Sequence, residues 1–388
     1  MRKSVELGSL FVGAMLAGAA WAGPSTTTAF YGCDFNNDGK ADVAAASSSS
    51  IRIQLLDGAT VMHTGFISNG GGTQTMAACG DVNGDGIADI ALNTNGFIKI
   101  QLMALDGSGN PVPGNVGFIG NGGNTFTAKA LADIDGDKKA DLIASGTNFT
   151  RVQILGLDGS GNPVATSTGF VSDGGGVYVF KLAADFNKDG KADLAGSSAG
   201  AANVRITPMN GITPGTAAFI GTGGGTFALG PNGSGDLDGD GAADLIMDGA
   251  TTSKAVTIDP TTLAPVATGF PGNGGGSFPF KLATDLDGDG KADLVGNGTG
   301  LVRLQLMNGV NPNGAAGFFG NGGGSYPAIA SGFSSGNTKG NLFGDGGATT
   351  GFFRVSLVNG TTPPTNGFIG NGAGAFALPP TLPQVPNP

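Results

Sequence analysis

The chain has 388 residues, 75 of them Gly, only 12% charged residues and a formal net charge of −10. No basic cluster accompanies that charge, which argues against nucleic acid as a partner. The N-terminal apolar run is too short and too rich in Gly and Ala for a membrane span, no other long apolar segment exists, and no helical periodicity is present, so helical classes are set aside.

The N-terminus reads Met1-Arg2-Lys3 followed by an apolar run over residues 7–22, ending in Ala20-Trp21-Ala22. This pattern predicts a secretory signal peptide over residues 1–22, cleaved after Ala22, and a secreted or periplasmic protein. Its removal takes away the only Trp (Trp21) and the only Glu (Glu6). The mature chain then carries 17 Lys and Arg against 28 Asp, a net charge of −11.

Of those 28 Asp residues, 21 fall in six nine-residue segments starting at Asp34, Asp81, Asp133, Asp185, Asp236 and Asp285, spaced 47 to 52 residues apart. Each follows D-x-[DN]-x-D-[GK]-x-A-D. Oxygen ligands at positions 1, 3 and 5, a sharp turn at 6, a backbone carbonyl at 7 and a carboxylate at 9 suit a hard divalent cation that takes six to eight oxygens. The predicted cofactor is therefore Ca²⁺, at about six sites. The predicted ligands are Asp34, Asn36, Asp38, Lys40 and Asp42; Asp81, Asn83, Asp85, Ile87 and Asp89; and Asp133, Asp135, Asp137, Lys139 and Asp141. The later loops supply Asp185, Asn187, Asp189, Lys191 and Asp193; Asp236, Asp238, Asp240, Ala242 and Asp244; and Asp285, Asp287, Asp289, Lys291 and Asp293. The seventh residue of each set offers its carbonyl. Lys138 stands where Gly is expected and predicts a strained or loosened third loop. A worn seventh copy begins at Gly332, lacks the carboxylates and predicts no calcium.

Between the loops the chain alternates short apolar runs and turns. Each loop leads into a run such as Ile90-Ala91-Leu92, then an alternating run such as Ile98-Lys99-Ile100-Gln101-Leu102. A Gly-Phe element such as Gly117-Phe118-Ile119 follows, then a Gly-rich turn and a fourth run that enters the next loop. Four strands per roughly 50 residues, repeated seven times, predict an all-β, seven-bladed β-propeller over residues 23–378. A β-solenoid is the architectural alternative. The ring is expected to close by residues 375–378 completing or abutting the first blade, and residues 379–388 form a Pro-rich tail. Cys33 and Cys79 precede the first two loops. Two readings stay open for them: a disulfide, favoured by export, or two small buried residues.

The D-x-[DN]-x-D-G-x-x-D loop between strands, at this period, resembles the FG-GAP/VCBS repeat family, which includes the propeller heads of integrin α-subunits. The resemblance runs from about Ala29 to Leu378. It implies a calcium-loop propeller with ligands at positions 1, 3, 5, 7 and 9, and it fixes neither ligand nor activity.

No catalytic constellation is visible: the mature chain has one His (His63, expected at the surface), no Glu and no Ser/His/Asp pattern. The expected function is a non-enzymatic binding or adhesion module with a protein or glycan partner on one face. A calcium-dependent lectin, an extracellular polysaccharide-active enzyme and a purely structural ring are the rivals. A basic residue centres one strand of every repeat (Arg52, Lys99, Arg151, Arg205, Lys254, Arg303, Arg354), which predicts hydrogen bonding between blades. Lys129, Lys181 and Lys281 each stand four residues before a loop and are candidates for holding an acidic ligand in the central channel. The Phe residues in repeat positions are expected in the core, which counts against a lectin with one site per blade.

Overall fold

The computed structural model describes residues 33–326, 328–332, 339–346 and 350–371. They form seven antiparallel sheets arranged as the blades of a propeller. The second blade shows the pattern: Thr75–Gly80, Asp89–Asn93, Phe97–Leu105 and Pro111–Gly120 pair in that order. The third repeats it with Thr127–Ala132, Asp141–Ser145, Phe149–Leu157 and Pro163–Ser172. In the fourth and sixth blades a small extra hairpin, Met209–Asn210 with Thr213–Pro214 and Met307–Asn308 with Asn311–Pro312, interrupts the outer pair. The first blade has three described strands, Val43–Ala46, Ser50–Asp57 and Thr60–Ser68. The predicted signal peptide over residues 1–22, the rest of the segment before Cys33 and the expected closing residues 375–378 lie outside the described residues.

The apolar residues collect into seven clusters, one at each blade boundary. Ile98, Ile100 and Leu102 of the second blade meet Leu131, Leu142 and Leu155 of the third. Val43, Ala45 and Leu56 of the first blade meet Phe343, Phe353 and Val355 of the seventh. The ring therefore closes by packing, and Arg52 adds a hydrogen bond from its Nη2 to the carbonyl of Gly370 at 2.6 Å. Burying roughly 25 cal/mol of stabilisation per Å² of apolar area at each boundary makes the ring a single cooperative body, since no blade has a closed core of its own.

The first strand of each four-stranded blade lies nearest the axis, and the described ones carry a register shift in mid-strand. Lys129, Lys181 and Lys281 are the unpaired residues at three of these bulges, opposite no residue of the second strand.

Candidate metal centre

The acidic segments connect the first and second strands of the blades. In the second blade the carboxylate of Asp81 accepts the N–H of Gly84 at 2.7 Å on one oxygen and that of Gly86 at 2.8 Å on the other. The side-chain oxygen of Asn83 accepts the Asp85 N–H at 3.0 Å, and Asp85 accepts the Ile87 N–H at 2.8 Å. Each polar side chain thus folds the backbone two to five residues ahead of it, which is why Asp and Asn occupy alternate positions. Two positive-φ residues make the turn: Gly84 at 81° and Gly86 at 85°. Lys138 sits at the Gly86 position with φ of 67°, so the third loop keeps its shape at the cost of a left-handed lysine.

The ninth-position Asp has a role that its place in the motif does not reveal. Both oxygens of buried Asp89 accept backbone N–H groups, from Val82 and from Met103 on the third strand, each at 2.8 Å. The same pair recurs at Asp42, Asp141, Asp193, Asp244 and Asp293. The carboxylate ties its loop to the strand two away. In the worn copy Asn341 replaces it, accepting from Val358 at 3.1 Å. The pairing of Gly332 with Asn341 matches that of Gly80 with Asp89, so the seventh loop starts one residue later than the sequence pattern suggests. Its residues 333–338 lie outside the described residues.

In the protein without metal, burial pushes these groups up, and neighbouring loop carboxylates add to it. Asp42, Asp89, Asp141, Asp244 and Asp293 rise to about 8, and Asp193 to about 7. Asp236 rises to about 6, and the first residues of the other loops are raised too. In the three loops with Asp at position 3, three carboxylates converge with their oxygens within 4.8 Å: Asp133, Asp135 and Asp141; Asp236, Asp238 and Asp244; Asp285, Asp287 and Asp289. Where Asn36, Asn83 and Asn187 stand, an amide takes the third place. Among the described residues the ion pairs to loop acids are Lys40 with Asp38 and Lys139 with Asp137, both at position 5. Among the described residues the first and ninth carboxylates, buried except for half-buried Asp34 and Asp185, have no ammonium or guanidinium partner. An all-oxygen donor set with mutually repelling carboxylates fits a divalent cation.

Successive loops are joined to one another. The N–H of the eighth residue in one loop donates to the carbonyl of the first residue in the loop before it. The bonds are Ala88 to Asp34 at 2.8 Å, Ala140 to Asp81 at 2.6 Å, Ala192 to Asp133 at 2.7 Å and Ala243 to Asp185 at 2.7 Å. Ala292 to Asp236 and Gly340 to Asp285, both at 2.6 Å, continue the series into the worn copy. The Ala before the last Asp is therefore a hinge point between blades. The turn of the next blade also reaches back, as Gly211 N–H does to Ile134 and Gly360 N–H to Leu286.

Five of the seven central basic residues bond between blades, Arg52 among them, whereas Arg303 donates to Gln305 of its own strand at 2.7 Å. Arg151 donates to the Gly120 carbonyl at 2.8 Å, Arg205 to Ser172 at 2.5 Å, Arg354 to Gly320 at 2.7 Å and Lys254 to Gly221. Their guanidinium groups lie over aromatic rings: Arg151 over Phe126 at 4.7 Å and Arg205 over Tyr178 at 4.9 Å. Cys33 and Cys79 form a disulfide between the first two blades. His63 is partly buried at the same boundary, its ring 3.4 Å from the Asn110 amide oxygen. Lys129 and Lys181 are half-buried and Lys281 is exposed.

One expectation is overturned. The phenylalanines of the Gly-Phe elements are not core: Phe66, Phe118, Phe170, Phe219, Phe270, Phe318 and Phe368 are 45% to 60% exposed on the outermost strands. Strand alternation explains this, because the next residue in each, such as Ile67 or Ile119, is the buried one. In every blade but the fourth, which has Ala218, the residue before the Phe is a Gly that packing against the next blade requires. A Cβ on Gly117 would lie 1.9 Å from the carbonyl oxygen of Pro163 in the next blade, and Gly65 meets Pro111 in the same way. Recurrence of Gly in an otherwise alternating strand was the available signal.

Seven sheets closed into a ring, with a short acidic loop between the first two strands of the second to sixth, define a repeat β-propeller. Residues 34–92 and 81–144 of the chain match the model of the FG-GAP-like repeat. No curated protein matches the chain. Among solved structures, it is similar to the Tc holotoxin pore of Photorhabdus luminescens at 13% identity and a TM-score of 0.44, over 84% of this chain and 17% of that one. The chain thus spans about a sixth of the length of that relative. It is also similar to a putative 6-phosphogluconolactonase from Bacteroides uniformis (14% identity, TM-score 0.44, 83% and 100% covered). The Dos1 propeller matches at 11% identity and a TM-score of 0.43, over 89% and 81% of the two chains. Among the described residues, no helix is long and apolar enough to cross a membrane.

Proposed function

We propose that the chain is an exported, non-catalytic binding or adhesion module whose six acidic loops each hold one Ca²⁺. The observation that carries this reading is the set of loop carboxylates, three converging in each of three loops, whose first and ninth members have no cationic side chain on them among the described residues. The side chains at positions 1, 3 and 5, the carbonyl at 7 and the remaining lone pairs of the ninth Asp would hold the ion. The ion would supply positive charge at the junction of two blades, because the first residue of each loop is bonded to the following loop. Export is supported by the signal-like N-terminus and by the Cys33–Cys79 disulfide, which an oxidising compartment permits.

Equilibrium dialysis against radioactive calcium tests the assignment. The wild-type chain should take up about six ions, and a variant with Asp285→Ala and Asp289→Ala about five. No uptake at millimolar calcium, or equal uptake by the two proteins, would end the proposal.

A further inference from the structure

The two faces of the propeller differ in charge. All six acidic loops open on one face, together with the acidic turns at Asp57, Asp106, Asp158 and Asp259 between third and fourth strands. The opposite face is built from the turns between second and third strands and the Gly-rich turns that lead to the next blade. Among the described residues those turns contain no Lys or Arg and a single Asp, Asp173, which is buried and accepts the Gly176 N–H at 2.8 Å. At the strand ends beside them the acidic residues are Asp248 and Asp345. Of the basic residues near this face, Arg151, Arg205, Lys254 and Arg354 are engaged by blade carbonyls or aromatic rings, while Lys129, Lys181 and Lys281 stand on the first strands, at the opposite edge of each blade from the strand that carries the exposed phenylalanine.

The exposed phenylalanines border this uncharged face. Except for Phe270, which lies just past its strand, each pairs across the sheet with the central basic residue of its blade, as Phe170 does with Arg151, two residues inside the turn. Each ring is held from the side by its own blade: Phe170 by Phe126 at 5.8 Å and Phe149 at 6.4 Å, Phe118 by Phe97 at 6.3 Å, Phe318 by Phe278 at 5.3 Å. The outer face of the ring is left to solvent in an orientation that its neighbours fix. The rings are separate, one per blade, with Gly, Asn, Thr and Ser turns between them. A continuous protein or lipid interface would call for a contiguous apolar patch. Isolated, pre-oriented rings among neutral hydrogen-bonding groups match a ligand whose repeating unit has an apolar C–H face and hydroxyl edges. The lack of charge matches a ligand without charge.

We propose that these phenylalanines are equivalent stacking sites for the sugar units of an uncharged polysaccharide, engaged along the outer rim beside turns that carry no exposed charge. The inference rests on the reading of the chain as a binding module and gives that module a ligand class and a face. Single-ring contacts are weak, so affinity would come from several blades engaging one chain.

Affinity electrophoresis of the full protein through native gels containing hydroxyethylcellulose, mannan or dextran tests it, with alginate as the charged comparison. Retardation is expected in at least one uncharged gel. A variant with Phe118→Ser, Phe170→Ser and Phe318→Ser should lose retardation by at least roughly tenfold in apparent affinity through lost multivalency. The matching Phe→Tyr variant, which keeps the rings, should retain it and so separates lost stacking from lost folding. No retardation in any uncharged gel, retardation unchanged by the Ser substitutions, or retardation in alginate alone would overturn the proposal. Calcium uptake measured on the same preparations keeps the two readings apart: uptake without retardation overturns the stacking ring and leaves the calcium loops standing.

Discussion

The Ala140 N–H donates to the Asp81 carbonyl at 2.6 Å, joining the third loop to the first residue of the second. Asp81 therefore folds its own loop through its carboxylate and anchors its neighbour through its backbone. If the loops are held by calcium, removing the ion should loosen blade boundaries before it loosens blade interiors. Hydrogen exchange read by mass spectrometry should show faster exchange at Ala88, Ala140 and Ala192 in chelator, with strand-centre amides such as Ile100 less affected. Equal acceleration throughout would mean that the loops do not control the boundaries.

The ninth-position carboxylate should matter to stability with or without metal. Asp89→Ala leaves the buried N–H groups of Val82 and Met103 without acceptors. Leaving a buried N–H unsatisfied typically costs about 1–3 kcal/mol, so urea unfolding should show a loss of roughly 2 kcal/mol or more. A change under about 0.5 kcal/mol, the range of an ordinary surface substitution, would show that the tie is dispensable.

Gly117 and Gly120 form a matched pair. A Cβ at Gly117 meets the Pro163 carbonyl oxygen at 1.9 Å, whereas one at Gly120 meets nothing within 4 Å. Gly117→Ala should destabilise by about 1–3 kcal/mol or more, as overpacking does, and Gly120→Ala should be near neutral. Thermal melts of the two variants check this. The fourth blade has Ala218 at the equivalent place, where the next blade's turn is a different one carrying Leu263 at φ of 56°.

Without calcium, stability should fall as pH rises. Burial raises the ninth-position Asp groups to about 7–8 in the folded chain, while in the unfolded chain they titrate near 3.9. The folded state then binds more protons between these values, so this contribution is complete below about pH 4 and is lost progressively towards pH 8. Melts in chelator from pH 5 to pH 8 should show a declining midpoint. In 10 mM calcium the ionised carboxylates are the binding form, and the decline should vanish or reverse. A midpoint rising with pH in chelator would contradict buried, unpaired carboxylates.

The architecture was legible because the chain repeats itself. The period from Asp34 to Asp285 and four apolar runs per period led to seven blades, and the basic residue in each third strand led to bonds between blades. What remained hidden depends on neighbours in space. Alternation around Phe118 is the same whether the Phe or the following Ile faces inward, and only the next blade's position decides it. The double acceptor role of Asp89 involves Met103, fourteen residues away, through a bulge that the sequence pattern does not mark. The Cys33–Cys79 pair was undecided because their offsets from the loops place them out of step, and only the juxtaposition of the first two blades brings them together.

The most direct test of the calcium loops is a thermal melt of the full protein at pH 7.5, in 10 mM calcium and in excess chelator. With dissociation constants of roughly 10⁻⁴ M, as in extracellular modules, a hundredfold excess of free calcium stabilises by about 2.7 kcal/mol per independent site. The account predicts a midpoint several degrees lower in chelator, recovered on adding calcium but not magnesium. Coincident melts in calcium and chelator would contradict it.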